Sequence, residues 1–197
     1  MKNIEKITLP SEALKIMKDG NERFVKNVSI NRNLMEDAVV TSEGQSPIAV
    51  VLTCLDSRSS ADIIFDQPIG GVFSARVAGN IVNDDILGSM EFACVLSTAR
   101  LIMVIGHSSC GAVEGAIGPP DEIEMCNLKN LLKKIVPAID SVVRPELPEL
   151  RNNENTHFVN KVIKENVILT MEDIKKRSET LRNLDKNGDI MIVGGVH

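Results

Sequence analysis

Two runs of aliphatic, largely β-branched residues stand out along the chain, Ile48-Ala49-Val50-Val51-Leu52 and Leu101-Ile102-Met103-Val104-Ile105. Neither alternates with polar residues, so each reads as a strand buried on both faces, the pattern of a parallel sheet covered by helices. Val72-Phe73-Ser74-Ala75-Arg76-Val77 and Asp189-Ile190-Met191-Ile192-Val193-Gly194 read as two further strands. Helical spacing predicts a first helix over 12–27, with Ser11 as N-cap and Leu14, Met17, Phe24 and Val25 near one face, interrupted at Asp19-Gly20. A polar connector should follow, up to Gln45-Ser46-Pro47. Further helices are expected around 63–65, from Asp84 through Val95, from Gly111, over 128–143 with a bend at Pro137, over 158–167, and over 173–187. Gly118-Pro119-Pro120 should break the chain between two of them. Strands alternating with helices in this order predict an α/β, Rossmann-like fold, a mainly parallel sheet flanked by helices. The first helix has no obvious place in its own sheet and is expected to pack on a partner subunit.

The ends of the two apolar runs carry the candidate chemistry. Cys54-Leu55-Asp56-Ser57-Arg58 follows the first and His107-Ser108-Ser109-Cys110 the second. If the strands are parallel neighbours their C-terminal ends coincide, where open α/β sheets place their ligands. Zinc takes cysteine sulfur and imidazole nitrogen in a tetrahedron, and three such donors leave a fourth position open. Cys54, His107 and Cys110 supply three; a closed site completed by Cys126 is an alternative, less natural across the Gly-Pro-Pro break. A helix N-terminus at Cys110 and the Arg58 cation near Cys54 should both favour thiolates. Two thiolates cancel the ion's charge, which predicts activity rising on the alkaline side. Asp56 and Arg58, two apart on a continuing strand, would share a face and pair as carboxylate and guanidinium. Held by Arg58, Asp56 faces away from the metal; released, it can itself close the fourth position. His157 and His197 read as surface residues, and Cys94 as core filler. Cys54 and Cys110 lack the C-x-x-C spacing of a redox pair.

Composition narrows the field. The 197 residues contain no Pro/Gly/Ser-rich linker and read as one domain over 1–197. With 22 basic and 27 acidic residues, a net charge of −5 and no basic block, nucleic acid is not an expected partner. No export signal or membrane-length apolar stretch is present, so a cytoplasmic location is expected. Trp and Tyr are absent, which argues against a stacking surface.

Cys54-Leu55-Asp56-Ser57-Arg58, Ile64-Phe65-Asp66-Gln67, Arg76-Val77-Ala78-Gly79-Asn80, Gly88-Ser89-Met90-Glu91-Phe92 and Gly106-His107-Ser108-Ser109-Cys110-Gly111-Ala112-Val113, in this order, resemble the signatures of β-class carbonic anhydrases. The resemblance covers most of 44–118, with a weaker echo at Val193-Gly194-Gly195. It implies a lyase that interconverts carbon dioxide and bicarbonate through zinc-bound hydroxide, with one zinc per chain on Cys54, His107 and Cys110. Asp56 and Arg58 would be the catalytic dyad, Asp56 doubling as a conditional fourth ligand. Substrate-side groups would be the Gln45 amide, the Gly111 N–H, and Phe73 and Ala78 lining an apolar cleft. The cleft typically lies at a dimer interface, so Gln45 and Phe73 would serve the neighbour's metal in a homodimer or dimer-based oligomer.

Three departures from the family pattern matter. Ser59-Ser60 follow the motif arginine where Val and then Pro are usual. Without Trp or Tyr the chain cannot build the Trp-Arg-Tyr pocket of bicarbonate-regulated members, so no such regulation is expected. The family continues past the last strand into another, whereas this chain stops at His197, which should leave an exposed edge. Hydrolysis of carbonyl sulfide or carbon disulfide at the same site is the runner-up activity, and a zinc scaffold closed by Asp56 is the non-catalytic alternative.

Overall fold

The computed structural model describes residues 9–118, 123–143 and 145–197. In chain order these form α1 (Pro10–Val25), α2 (Leu34–Thr41), β1 (Ala49–Thr53), α3 (Ala61–Ile64), β2 (Val72–Arg76), α4 (Asp84–Glu91), β3 (Leu101–Gly106), α5 (Gly111–Ile117), α6 (Cys126–Leu132), α7 (Val136–Ser141), α8 (Thr156–Arg177), α9 (Glu179–Asn187) and β4 (Met191–Val196). The four strands make one sheet of order β2-β1-β3-β4, every pair parallel. The chain steps from β1 to β2 on one side and returns to place β3 on the other. The switch point therefore lies between the C-terminal ends of β1 and β3.

Burial follows that order. Every residue of β1 and β3 is buried, whereas the edge strands β2 and β4 are only partly covered. Val50, Leu52, Ile102 and Val104 pack on one face with Leu87 and Met90 of α4, Val167 and Ile174 of α8 and Leu181 of α9. Ala49, Val51, Met103 and Ile105 pack on the other with Ala13 and Met17 of α1 and Ile64 of α3. Each large side chain enclosed in this way contributes about 1.5–3 kcal/mol. No described helix is long and apolar enough to cross a membrane.

Several helix boundaries differ from the sequence expectation, each for a local reason. Helix α1 starts at Pro10, whose ring suits a first turn, and neither Leu9 nor Ser11 provides a side-chain cap. It runs through Gly20 unbroken, because a Cβ there would lie 1.9 Å from the Phe65 carbonyl oxygen and only glycine permits the approach. Its buried residues Ala13 and Met17 pack against β1, β3 and α3 of its own chain. The connector after it contains α2, capped by Asn33, and Leu34, Met35, Val39 and Val40 on it are exposed. The expected 128–143 helix is two helices, with Pro137 opening the second. Helix α8 continues to Arg177, so the break falls at Ser178, whose Oγ accepts the Leu181 N–H at 3.1 Å and starts α9. Helix α4 ends in a π turn at Phe92–Leu96, which buries Cys94 and exposes Phe92 and Val95. Pro119 and Pro120 of the expected break lie outside the described residues.

Candidate metal centre

Thr53 pairs with Ile105, so one step further brings Cys54 alongside Gly106, with His107 next. Close packing there depends on Gly106, where a Cβ would come within 2.9 Å of Val167 on α8. Ser109, at φ 52, turns the chain back so that Cys110 becomes the N-cap residue of α5. The sulfurs of Cys54 and Cys110, 56 positions apart in sequence, lie 4.0 Å from each other. With a ring nitrogen of His107 they form a set whose ligand atoms all lie within 4.8 Å of one another. All three residues are buried.

The imidazole is held in one tautomer. His107 Nδ1 lies 2.9 Å from the Ser108 carbonyl oxygen. A carbonyl can only accept, so Nδ1 carries the proton and Nε2 keeps its lone pair. That Nε2 is buried with no hydrogen-bond partner among the described residues. An unpaired buried polar group costs about 1–3 kcal/mol, and a cation between the sulfurs and the ring would satisfy it. Two sulfurs and a neutral imidazole are a soft donor set that suits zinc.

The two thiols are pushed in opposite directions. The Cys110 thiol beside it brings Cys54 down to about 4, against the opposing effect of burial, with further help from the N–H groups of Asp56 and Gly79. Cys110 is pushed up by Cys54 and by burial, although the N–H groups of Val113 and Ala112 oppose the rise. Arg58 was expected to favour thiolate at Cys54, but its guanidinium is committed elsewhere and the neighbouring thiol dominates.

Arg58 grips Asp56. The chain leaves β1 at Thr53, so the pair forms in a turn and not along a strand face. Arg58 Nε donates to Asp56 Oδ1 and Nη2 to Oδ2, both at 2.9 Å, and the Arg58 backbone N–H also donates to Oδ1 at 2.9 Å. This fork holds the Asp56 carboxyl well below the usual carboxylate range. The close ligand set does not include Asp56.

Arg76, at the end of β2, went unremarked as a site residue in the sequence reading, although it opens one of the quoted motifs. Its guanidinium donates to the carbonyls of Cys54 at 3.2 Å and Leu55 at 3.0 Å, and also to that of Asp56. Gly111 opens α5 next to Cys110, and Ala78 precedes Gly79, whose N–H meets Cys54 Sγ at 3.3 Å. Gln45 and Phe73 are not brought to this set within the chain. Phe73 pairs with Val50 and stacks edge-on with Phe92 at 6.2 Å, about 10 Å of strand before Arg76. Gln45 lies near Gly70, ahead of β1. Cys126 is exposed and outside the set, and no described cysteine forms a disulfide. His157 and His197 are exposed.

Residues 49–197 match a family model described as carbonic anhydrase. Carbonic anhydrase 2 of Mycobacterium tuberculosis is 33% identical over 190 residues, which cover 95% of this chain and 87% of that protein. A carbonic anhydrase of Mycolicibacterium smegmatis is 38% identical over 133 residues, 66% of this chain and 65% of that one. The solved β-carbonic anhydrase CcaA superposes with a TM-score of 0.71 at 23% identity, over 93% of this chain and 89% of its own.

Proposed function

Because this chain belongs to the carbonic anhydrase family and has the fold of its β class, we propose that it is a zinc-dependent carbonate dehydratase. Cys54, His107 and Cys110 hold one zinc per chain, and the reaction is the reversible conversion of carbon dioxide and water to bicarbonate and a proton. The buried, unpartnered Nε2 of His107 beside two sulfurs is the observation that carries this reading.

Zinc supplies Lewis acidity, which makes water usable as a nucleophile nearer neutral pH. The chain's own groups do the rest. Asp56, kept ionised and turned by Arg58, accepts a hydrogen bond from the attacking water and so orients its lone pair toward the carbon. A carboxylate in that place disfavours ligands that cannot donate a hydrogen. Arg76 fixes the Cys54–Asp56 backbone, so the dyad and the sulfur keep their relative positions. The Gly111 N–H, at the start of α5, stabilises a bicarbonate oxygen in this reading. Ala78 lines the approach.

Gln45 and Phe73, distant from the set in their own chain, are assigned to the neighbouring subunit's site. The exposed apolar residues of α2 and the π turn, Val39, Val40, Phe92 and Val95 among them, favour a homodimer. Free thiols 4.0 Å apart suit a reducing compartment such as the cytoplasm. Stopped-flow hydration of carbon dioxide, run beside sulfide release from carbonyl sulfide and with zinc content measured, tests the activity. Faster turnover of the sulfur substrate would transfer the assignment to a hydrolase. Full zinc without either activity, at alkaline pH as well, would leave a scaffold.

A further inference from the structure

The sulfur of Cys54 is supported from a distant helix. Gly79 donates its N–H to Cys54 Sγ at 3.3 Å, and the Gly79 carbonyl accepts a hydrogen bond from Asn166 Nδ2 on α8 at 2.8 Å, 87 positions away. Gly79 sits at φ +69, and a Cβ there would come within 2.6 Å of Ile135 Cδ1. A glycine is therefore required, and a glycine by itself leaves both backbone torsions free. Anchoring its carbonyl on one side removes that freedom and aims its N–H on the other.

Asn166 is 3% exposed, between buried Val162, Ile163 and Val167 on a helix that packs against β3 and β4. An amide in that setting is unfavourable unless it is bonded, and its donor is committed to Gly79. Nothing in the catalytic scheme above uses it. We infer that Asn166 is a positioning residue for Cys54, acting through the Gly79 peptide to fix the direction and donor strength of the sulfur. The inference rests on the reading of Cys54 as a metal ligand. Groups one step removed from ligands typically tune affinity by about 10- to 100-fold.

The test uses the protein loaded with Co(II), whose sulfur-to-cobalt charge-transfer absorption reports the thiolates directly, together with zinc retention against a chelator. Asn166→Leu keeps the branched shape and the number of heavy atoms and removes the donor; the charge-transfer band should move to lower energy and zinc should be held about 10- to 100-fold less tightly. Ile174→Ala, a cavity on the same helix away from the sulfurs, should lower the melting temperature without moving the band. If Asn166→Leu does not fold, Asn166→Ala is measured in its place. An unchanged band and unchanged zinc retention in the folded variant overturn the inference. A wild-type protein that gives no sulfur-to-cobalt band overturns the metal assignment of Cys54 instead.

Discussion

Arg58 holds both carboxylate oxygens of Asp56, each at 2.9 Å, and in that arrangement Asp56 stays out of the Cys54–His107–Cys110 set. The dyad is exposed on the arginine side, so its worth lies in orientation more than in stability.

Removing the clamp should impair turnover while sparing the metal. For Arg58→Ala and Asp56→Asn, carbon dioxide hydration near neutral pH should fall by about 10²- to 10⁴-fold. Zinc content should stay close to that of the wild type. Asp56 lies below its usual range, so it is ionised at every pH well above about 3.9. The alkaline rise expected in the wild-type rate therefore belongs to deprotonation of the attacking water and not to Asp56. A rate flat down to mildly acidic pH would count against the two-thiolate site.

Loading the site should release protons in a definite number. Cys54, at about 4, is already thiolate at neutral pH, whereas Cys110 is pushed up and keeps its proton. Zinc needs both as thiolates, so binding should release about one proton per chain. Calorimetry in buffers of different ionisation enthalpy measures it; release of two would mean that Cys54 keeps its proton as well. Alkylation mapped by mass spectrometry should label exposed Cys126 and spare Cys94, whose burial pushes it to about 12.

The arm leading to α2 is fastened by one buried carboxylate. Asp66, 4% exposed, accepts from Arg23 Nε at 2.5 Å and from Arg32, and takes the Ile30 N–H at 3.2 Å. Asp66→Ala should cost about 2–3 kcal/mol in urea unfolding, less than a fully buried pair because the arginines are partly exposed. Burial pushes Asp66 up, but the two arginines and the Ile30 N–H outweigh it and its value is lowered. Its contribution is therefore complete above the unfolded value of about 3.9 and is lost as pH falls through the lower folded value. Acid unfolding of Asp66→Asn should show a correspondingly weaker pH dependence in that window.

Assembly and activity should fail together. Val40→Asp places a charge on the exposed apolar face of α2. It should shift sedimentation toward monomer and lower activity on dilution, since Gln45 and Phe73 would lose the neighbour's site. A monomer with undiminished activity would show that the site needs no second chain.

The sequence by itself determined the strands β1 and β3 and the residues at their ends. Strands covered on both faces must be apolar throughout, so they announce themselves, and the ligand motifs follow them directly. The α8–α9 break at Ser178 was hidden because helical periodicity continues across it, and α2 was hidden because its apolar residues face away from this chain's core. Only the tertiary structure decided that α1 packs on its own sheet, that Nε2 of His107 is left without a partner, that Arg76 of β2 binds the Cys54–Asp56 carbonyls, and that Asn166 of α8 binds the Gly79 carbonyl. These features depend on positions far apart along the chain, and a lone polar residue has no period to reveal where it will point.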